Sequence, residues 1–298
     1  MPDWIVRHRQ GMTAEALSDA VFSGRILVFE RLQPMRDLIA AARALTERVF
    51  ATPDPVTAHR EMPADAYQAR YAELRRAFVK DREIREAFEA ALVAAGVDGP
   101  TTFRDRLVLR ISPPGISGYR RGFGLVPPHR DSWGAGLACQ INWWLPVYPI
   151  TRDRTLAIYP AHWAKPIAND AEGWDWRKAG KVPGVPLLPT AQAPPDRAGE
   201  LRLVVEPGAL VAFSAAHLHA SVPNTTPEAR VSSETRTVAL ADLASRRGAP
   251  DIDGGDVSPA LDWFRRLETG DLLSDELKLP RVCGHSRCGA GFARLAQL

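Results

Sequence analysis

From Phe103 to Leu240 the chain is cut into short β-rich runs by glycine and proline turns, at residues 106–111, 135–147, 156–159, 201–205, 210–222 and 231–240. Runs of this length and spacing predict an antiparallel β architecture that closes on itself, of which the jelly-roll, or double-stranded β-helix, is the form with an open end for a ligand. The first hundred residues follow a different period. Residues 34–50 place Met35, Leu38, Ile39, Ala42, Leu45 and Val49 on one stripe, as an amphipathic helix does. Residues 25–30 form a short strand after Gly24, and residues 65–80 and 82–96 predict two more helices, the second stopped at Gly96.

The expected fold is therefore α+β, mainly β with flanking helices around a jelly-roll core, in a single domain spanning residues 1–298. Residues 1–100 act as helical support, 101–240 carry the core, and 241–298 form a tail. Ser258 as N-cap and Pro259 in the first turn predict a helix in that tail, with Leu261, Phe264 and Leu267 on its apolar side. Inside the core, residues 164–199 hold prolines at 166, 183, 186, 189, 194 and 195, which excludes regular structure. A loop of this length is expected to be a lid over the open end, or else a passive insertion.

A net charge of +3 with both signs interspersed does not imply a nucleic-acid partner. No apolar run reaches eighteen residues and no charged-then-apolar leader follows Met1, so no membrane partner is expected and the expected location is the cytoplasm. Three cysteines argue against a disulfide framework. Cys283, His285 and Cys288 lack the second ligand pair that a zinc site needs.

Two segments carry the chemistry. The first is His129-Arg130-Asp131; the second runs from His219 through Pro223-Asn224-Thr225-Thr226-Pro227 to Arg230 and Ser232. On an extended strand His129 and Asp131 share a face and Arg130 points away, because successive side chains alternate. By the same alternation Phe213, Ala215, His217, His219 and Ser221 share a face, so parity alone does not choose between the two histidines. After the Pro-rich turn Arg230, Ser232, Glu234, Arg236 and Val238 share one as well. Two imidazoles and one carboxylate on one side of a metal form the facial triad that suits Fe(II) and leaves other positions open. A guanidinium fork binds a carboxylate through two charge-assisted hydrogen bonds and does not deprotonate.

These segments resemble the iron(II)- and 2-oxoglutarate-dependent oxygenases, nearest the phytanoyl-coenzyme A hydroxylase-like branch, over residues 100–240. Glu206-Pro207-Gly208 and the strand 209–214 look like the turn and strand that lead to the distal histidine of that family. Residues 155–162 look like a diverged form of its L-x-x-x-P-G-S-H segment, with Ala161 in place of the usual glycine. The resemblance selects His219 over His217. It implies that His129, Asp131 and His219 hold Fe(II), and that Arg230, helped by Ser232, binds the far carboxylate of 2-oxoglutarate, with Arg236 in reserve. It also implies a reaction with O2 that hydroxylates an unactivated C–H bond of a small-molecule substrate and releases succinate and CO2. The rival readings are a cupin-like metallohydrolase or isomerase, which has no use for Arg230, and a non-catalytic metal-binding jelly-roll module.

Six of the eight tryptophans lie between Trp133 and Trp176. Trp143 and Trp144 must face opposite ways on a strand, and Gln140, Asn142 and Trp144 share the face expected to line a substrate cavity, unless these aromatics only fill the barrel. Arg104, Arg106, Arg110, Arg120, Arg121 and Arg130 make the approach to the motif basic, and salt bridges are the favoured reading of them over attraction of an anionic substrate.

Overall fold

The computed structural model describes residues 4–115, 119–120 and 123–278. Arg121, the side chain of Arg120, and the Cys283, His285 and Cys288 cluster lie outside the described residues.

The N-terminal helices are α1 (Ala14–Phe22), α2 (Pro34–Phe50), α3 (Ala64–Lys80) and α4 (Arg82–Ala95). Proline opens α2, where its missing N–H costs nothing, and the stripe from Met35 to Val49 is buried as its spacing predicts. Asp81 both ends α3 and caps α4, its carboxylate accepting from Ile84 N at 3.0 Å. Gly96 stops α4 at φ 125°, a conformation that a side chain disfavours.

Among the described residues, ten strands form a large sheet. Its spine is β1 (Ile5–His8), β2 (Ile26–Phe29), β10 (Leu210–Ser214), β7 (Ile141–Pro146), β12 (Arg230–Ala239), β4 (Val108–Ser112), β6 (Phe123–Gly124) and β5 (Tyr119–Arg120). β3 (Thr102–Arg104) pairs with β12 and with β13 (Arg265–Arg266). A second sheet of three strands runs in the order β11 (His219–Ser221), β8 (Leu156–Ile158) and β9 (Leu201–Leu203).

Alternation sorts the large sheet into two apolar faces. Leu27, Phe29, Trp143, Leu145, Ala212 and Val231 pack with Leu38, Phe50, Phe78 and Phe88 of the helices. Val28, Trp144, Val211 and Phe213 pack with Leu156, Ile158 and Leu203 of the small sheet. The protein is thus mixed α and β, with helices on one face of a large sheet and a small sheet on the other. Among the described residues no helix is long and apolar enough to cross a membrane.

Three expected elements differ. The run 210–222 is not one strand: β10 ends at Ser214 and β11 begins at His219 in the other sheet, so residues 215–218 cross between layers. The run 135–147 starts with a single helical turn, α5 (Ser132–Ala135), and becomes extended only at Ile141. The tail helix predicted from Ser258 is absent. Leu261–Trp263 is one 3-10 turn, after which Arg265 and Arg266 pair with Arg104 and Phe103. That pairing satisfies the backbone in the sheet while Phe264 is still fully buried. Two further helices, α6 (Leu240–Ala244) and α7 (Leu273–Lys278), complete the described chain.

Candidate metal centre

His129 and His219 meet through their backbones before their side chains. His129 N donates to His219 O and His219 N to His129 O, both at 3.0 Å, which ties the loop before α5 to β11. The rings then sit with centroids 4.2 Å apart. Asp131 joins them by a route the alternation argument did not foresee. It is not extended but helical, at φ −67° and ψ −26°, because its carbonyl accepts from Gly134 N and Ala135 N to open α5. The turn swings its carboxylate between the rings, with Oδ1 3.7 Å from His129 Nε2 and Oδ2 3.9 Å from His219 Nε2.

The donor set fits a divalent ion. His129 Nδ1–H donates to Pro127 O at 2.8 Å and His219 Nδ1–H to His217 O at 3.0 Å, an assignment that leaves both Nε2 lone pairs facing Asp131. The donor atoms of the three residues all lie within 4.8 Å of one another, and facial donors at ordinary metal–ligand lengths lie about 3 Å apart, so closure needs a contraction of up to about 2 Å. Burial, reinforced by His219, pushes the His129 imidazole down to about 3. Burial also lowers His219. Burial alone would raise the Asp131 carboxyl, but Arg236, His219 and His129 outweigh it and hold it well below the usual carboxylate range. At neutral pH the site therefore presents two neutral imidazoles and a carboxylate, with no proton to displace.

His217 takes no part. Its Nδ1 lies 3.3 Å from Ser214 O and its Nε2 3.2 Å from Gly24 O, and its ring lies tilted at 37° against Trp163, with centroids 4.6 Å apart. Parity placed it beside His219 only on the premise of one continuous strand. Arg130 points away as expected, ion-paired with Asp253 at 2.9 Å and donating to His162 O at 2.7 Å.

Arg230 lines the same small chamber as His129, Asp131 and His219, together with Asn142, Trp144, Phe213 and Ser221. Its guanidinium donates to Thr155 O at 2.6 Å and to Ser112 Oγ and Ser221 Oγ at 3.1 Å, all neutral acceptors. No carboxylate among the described residues pairs with it, its Nε has no partner, and burial pushes it down to about 10. Ser232 Oγ and Asn142 Nδ2 are likewise buried without partners. A buried, uncompensated cation is costly, so this chamber favours an anion.

Arg236 is committed elsewhere. It holds Asp105 at 2.9 Å, Asp131 Oδ1 at 3.2 Å and Glu234 at 3.4 Å. Glu234 also pairs with Arg110 at 2.6 Å, and although burial opposes ionisation, Arg110 and Arg236 hold its carboxyl at about 2. Glu234 had a signal in the sequence, since it alternates with Arg230 and Arg236. Asp105 had none, because only the pairing of β3 and β12 brings it there.

Beyond the chamber opens a cleft of about 500 Å³ that shares His129, Asp131, Arg110 and Arg236 with it. Gln140 lines this cleft, its Nε2 donating to Asn142 Oδ1 at 2.9 Å and its Oε1 buried without a partner. Asn142 and Trp144 line the inner chamber instead. Trp143 turns to the helical face, where its indole N–H donates to Thr237 Oγ1 at 2.8 Å. Trp174, Trp176 and residues 187–189 of the Pro-rich insertion also line the cleft. The salt-bridge reading of the basic run holds for Arg104 with Glu89, Arg110 with Glu234 and Arg130 with Asp253.

No family model matches the chain, and no curated protein does. Solved structures similar to it include EctD from S. alaskensis in its apoform, at 16% identity over 87% of this chain and 86% of that one, with a TM-score of 0.43. EvdO2 from Micromonospora carbonacea var. aurantiaca is 14% identical over 83% and 96% of the two chains, with a TM-score of 0.44. SnoK, a non-heme alpha ketoglutarate dependent carbocyclase from nogalamycin biosynthesis, is 17% identical over 80% and 95%, with a TM-score of 0.40. The side chains themselves define a centre of two neutral imidazoles and one carboxylate beside a buried, carboxylate-free arginine.

Proposed function

We propose that the chain is an iron(II)- and 2-oxoglutarate-dependent oxygenase that hydroxylates an unactivated C–H bond of a small molecule. The observation that carries this reading is Arg230, a buried guanidinium without a carboxylate, in the same chamber as His129, Asp131 and His219. A metallohydrolase or isomerase needs the triad but gives no reason to bury that charge. When bound, iron with 2-oxoglutarate and O2 supplies an oxidant strong enough to take hydrogen from carbon, with succinate and CO2 as by-products.

The residues of the chain do the rest. His129, Asp131 and His219 would hold the metal. Arg230 and Ser232 receive the far carboxylate of the co-substrate, replacing neutral acceptors with a charged one. The chamber is small, near 30 Å³, and Trp144, Leu156 and Phe213 are among its apolar lining residues. Arg236 keeps Asp131 ionised and donates to its Oδ1, so that the carboxylate is oriented and charged for the metal it would hold. The jelly-roll reading is supported by two sheets packed face to face with the ligands where they meet, and the lid reading of residues 164–199 by the tryptophans they bring to the cleft.

The test is succinate release from 2-oxoglutarate under air, with added Fe(II) and ascorbate and the organic substrate omitted. Slow turnover is expected in the native protein and none in His219→Ala. Native protein that binds Fe(II) yet neither binds nor turns over 2-oxoglutarate would return the assignment to a hydrolase or isomerase.

A further inference from the structure

One hydrogen-bonded pair of amides joins the inner chamber to the outer cleft. Asn142 lines the chamber with Arg230, and Gln140 lines the cleft. Gln140 Nε2 donates to Asn142 Oδ1 at 2.9 Å, and both side chains are buried. Each then has one atom left over: Asn142 Nδ2 and Gln140 Oε1 are buried without a partner. Unpaired buried polar atoms are rare and costly, and these two belong to one pair whose members line different cavities.

The backbone beneath the pair is fixed. Gln140 N donates to Leu137 O at 3.2 Å and Gln140 O accepts from Ala215 N at 3.1 Å, while Asn142 stands in register with Phe213 of β10 and Arg236 of β12. Each amide remains free to turn about its last bond, a soft and roughly two-fold torsion. Turning one alone sets oxygen against oxygen or nitrogen against nitrogen, so the two turn together. The pair therefore has two polarities. In one, Asn142 offers N–H to the chamber and Gln140 offers oxygen to the cleft; in the other, both ends are reversed. The occupant of the chamber selects between them. Arg230 Nε is another unpartnered donor among the chamber-lining residues, and an anion drawn to Arg230 accepts from Asn142 Nδ2 but is repelled by its Oδ1.

We infer that Gln140 and Asn142 form a polarity relay: a carboxylate in the chamber turns the oxygen of Gln140 to the cleft, which then selects a small molecule carrying a hydrogen-bond donor, a hydroxyl or N–H, directed at Gln140. That the carboxylate is 2-oxoglutarate rests on the oxygenase reading. A carbonyl or ether at the same place leaves two oxygens facing each other. The coupling is reciprocal, so a donor in the cleft strengthens carboxylate binding in the chamber by the same factor.

Three measurements on the full-length protein test the relay. The first is proton NMR of the native chain loaded with Zn(II), a diamagnetic ion that suits the same donors. Saturating 2-oxoglutarate should move the side-chain amide protons of Asn142 downfield, the signals being assigned by their loss in Asn142→Leu; unmoved signals overturn the proposal. The second is a double-mutant cycle read as 2-oxoglutarate affinity in the anaerobic Fe(II) protein. A carboxylate in place of the Gln140 amide only accepts, so Gln140→Glu forces Asn142 into the reversed polarity and should weaken 2-oxoglutarate at least about tenfold. In an Asn142→Leu background there is no amide to turn, and the same change should have little effect. Equal losses in both backgrounds would trace the effect to added charge and overturn the relay. The third is calorimetry of the Zn(II) and 2-oxoglutarate complex with 2-naphthol, 2-naphthylamine and 2-methoxynaphthalene. The two donors should bind severalfold tighter than the ether, their order telling hydroxyl from N–H, and omission of 2-oxoglutarate should weaken the donors alone. Gln140→Leu should abolish the difference. An ether that binds as tightly as naphthol, or no binding by any of the three, overturns the donor selection. Native protein without affinity for 2-oxoglutarate removes the oxygenase reading and the relay together, whereas native affinity with an additive cycle removes the relay alone.

Discussion

At the scale of single residues, the two histidines 217 and 219 are both buried and both lose basicity to burial, yet only one has a nitrogen free to bind a metal. His219 spends Nδ1 on a carbonyl and turns Nε2 to Asp131, whereas both nitrogens of His217 face carbonyls. In anaerobic titrations with Fe(II) and 2-oxoglutarate, His217→Ala should keep the visible metal-to-ligand charge-transfer band and His219→Ala should lose it. The reverse pattern would move the ligand. Arg230 makes a second prediction at this scale. Removing one partner of a buried charge-assisted pair costs about 2 to 5 kcal/mol, so Arg230→Ala should lower 2-oxoglutarate affinity by roughly thirtyfold or more. Arg230→Lys should recover only part of it, because an ammonium lacks the fork. Equal 2-oxoglutarate affinity in Arg230→Ala and native protein would show that the anchor lies elsewhere.

At the scale of elements, period and punctuation in the sequence located α2, α3 and α4, but not α1 or the short helices, and the helix expected from Ser258 is absent. The stripe of α2, the Gly96 stop and the fully buried β2 are local signals, and the structure agrees with each. What the sequence hid is where a run changes layer. Residues 210–222 alternate throughout, but pairing of β10 with β7 and of β11 with β8 are long-range facts that no local pattern contains. The convergence of His129, Asp131, His219 and Arg230 on one chamber was legible all the same: residue type and spacing drew attention to the two segments, the family resemblance chose His219 and Arg230 within them, and a turn in place of a strand still brought Asp131 to the histidines. Asp253 was not legible, since its role depends on contacts across more than eighty residues. It pairs with Arg130, accepts from Trp133 Nε1 at 2.9 Å and from Ile167 N at 3.0 Å, and so clamps the ligand loop to the start of the insertion. Asp253→Ala leaves the buried Arg130 unpaired and should speed limited proteolysis within residues 164–199 severalfold while α2 to α4 stay protected. Unchanged cleavage would mean that the insertion is held by its own internal contacts, such as Trp174 to Pro186.

At the scale of the whole molecule, the protein buries histidines in their neutral form, and this contributes to how its stability responds to acid. Burial pushes His129 to about 3 and His217 to about 4, both below the ordinary histidine value of 6.5. Groups with depressed values in the folded state bind protons first in the unfolded chain, so acid favours unfolding. Their stabilising contribution is complete above pH 6.5 and is lost as the pH falls from there toward about 4 and then 3. Each such histidine costs on the order of 1 to 2 kcal/mol between pH 6.5 and 5, since a full unit of proton linkage is worth about 1.4 kcal/mol. Glu234, held at about 2, adds a loss of the same sign only below its ordinary value of 4.5. Urea unfolding of the metal-free protein should therefore show a histidine contribution that lowers the midpoint from pH 7 to pH 5, opposed by Asp105 and Asp251, whose carboxyls burial raises above their ordinary value. His217→Phe, which removes one of the buried imidazoles without touching the metal ligands, should flatten that slope by about the share of one histidine. An unchanged slope in His217→Phe would mean that His217 is not buried in its neutral form, against the direction burial gives it.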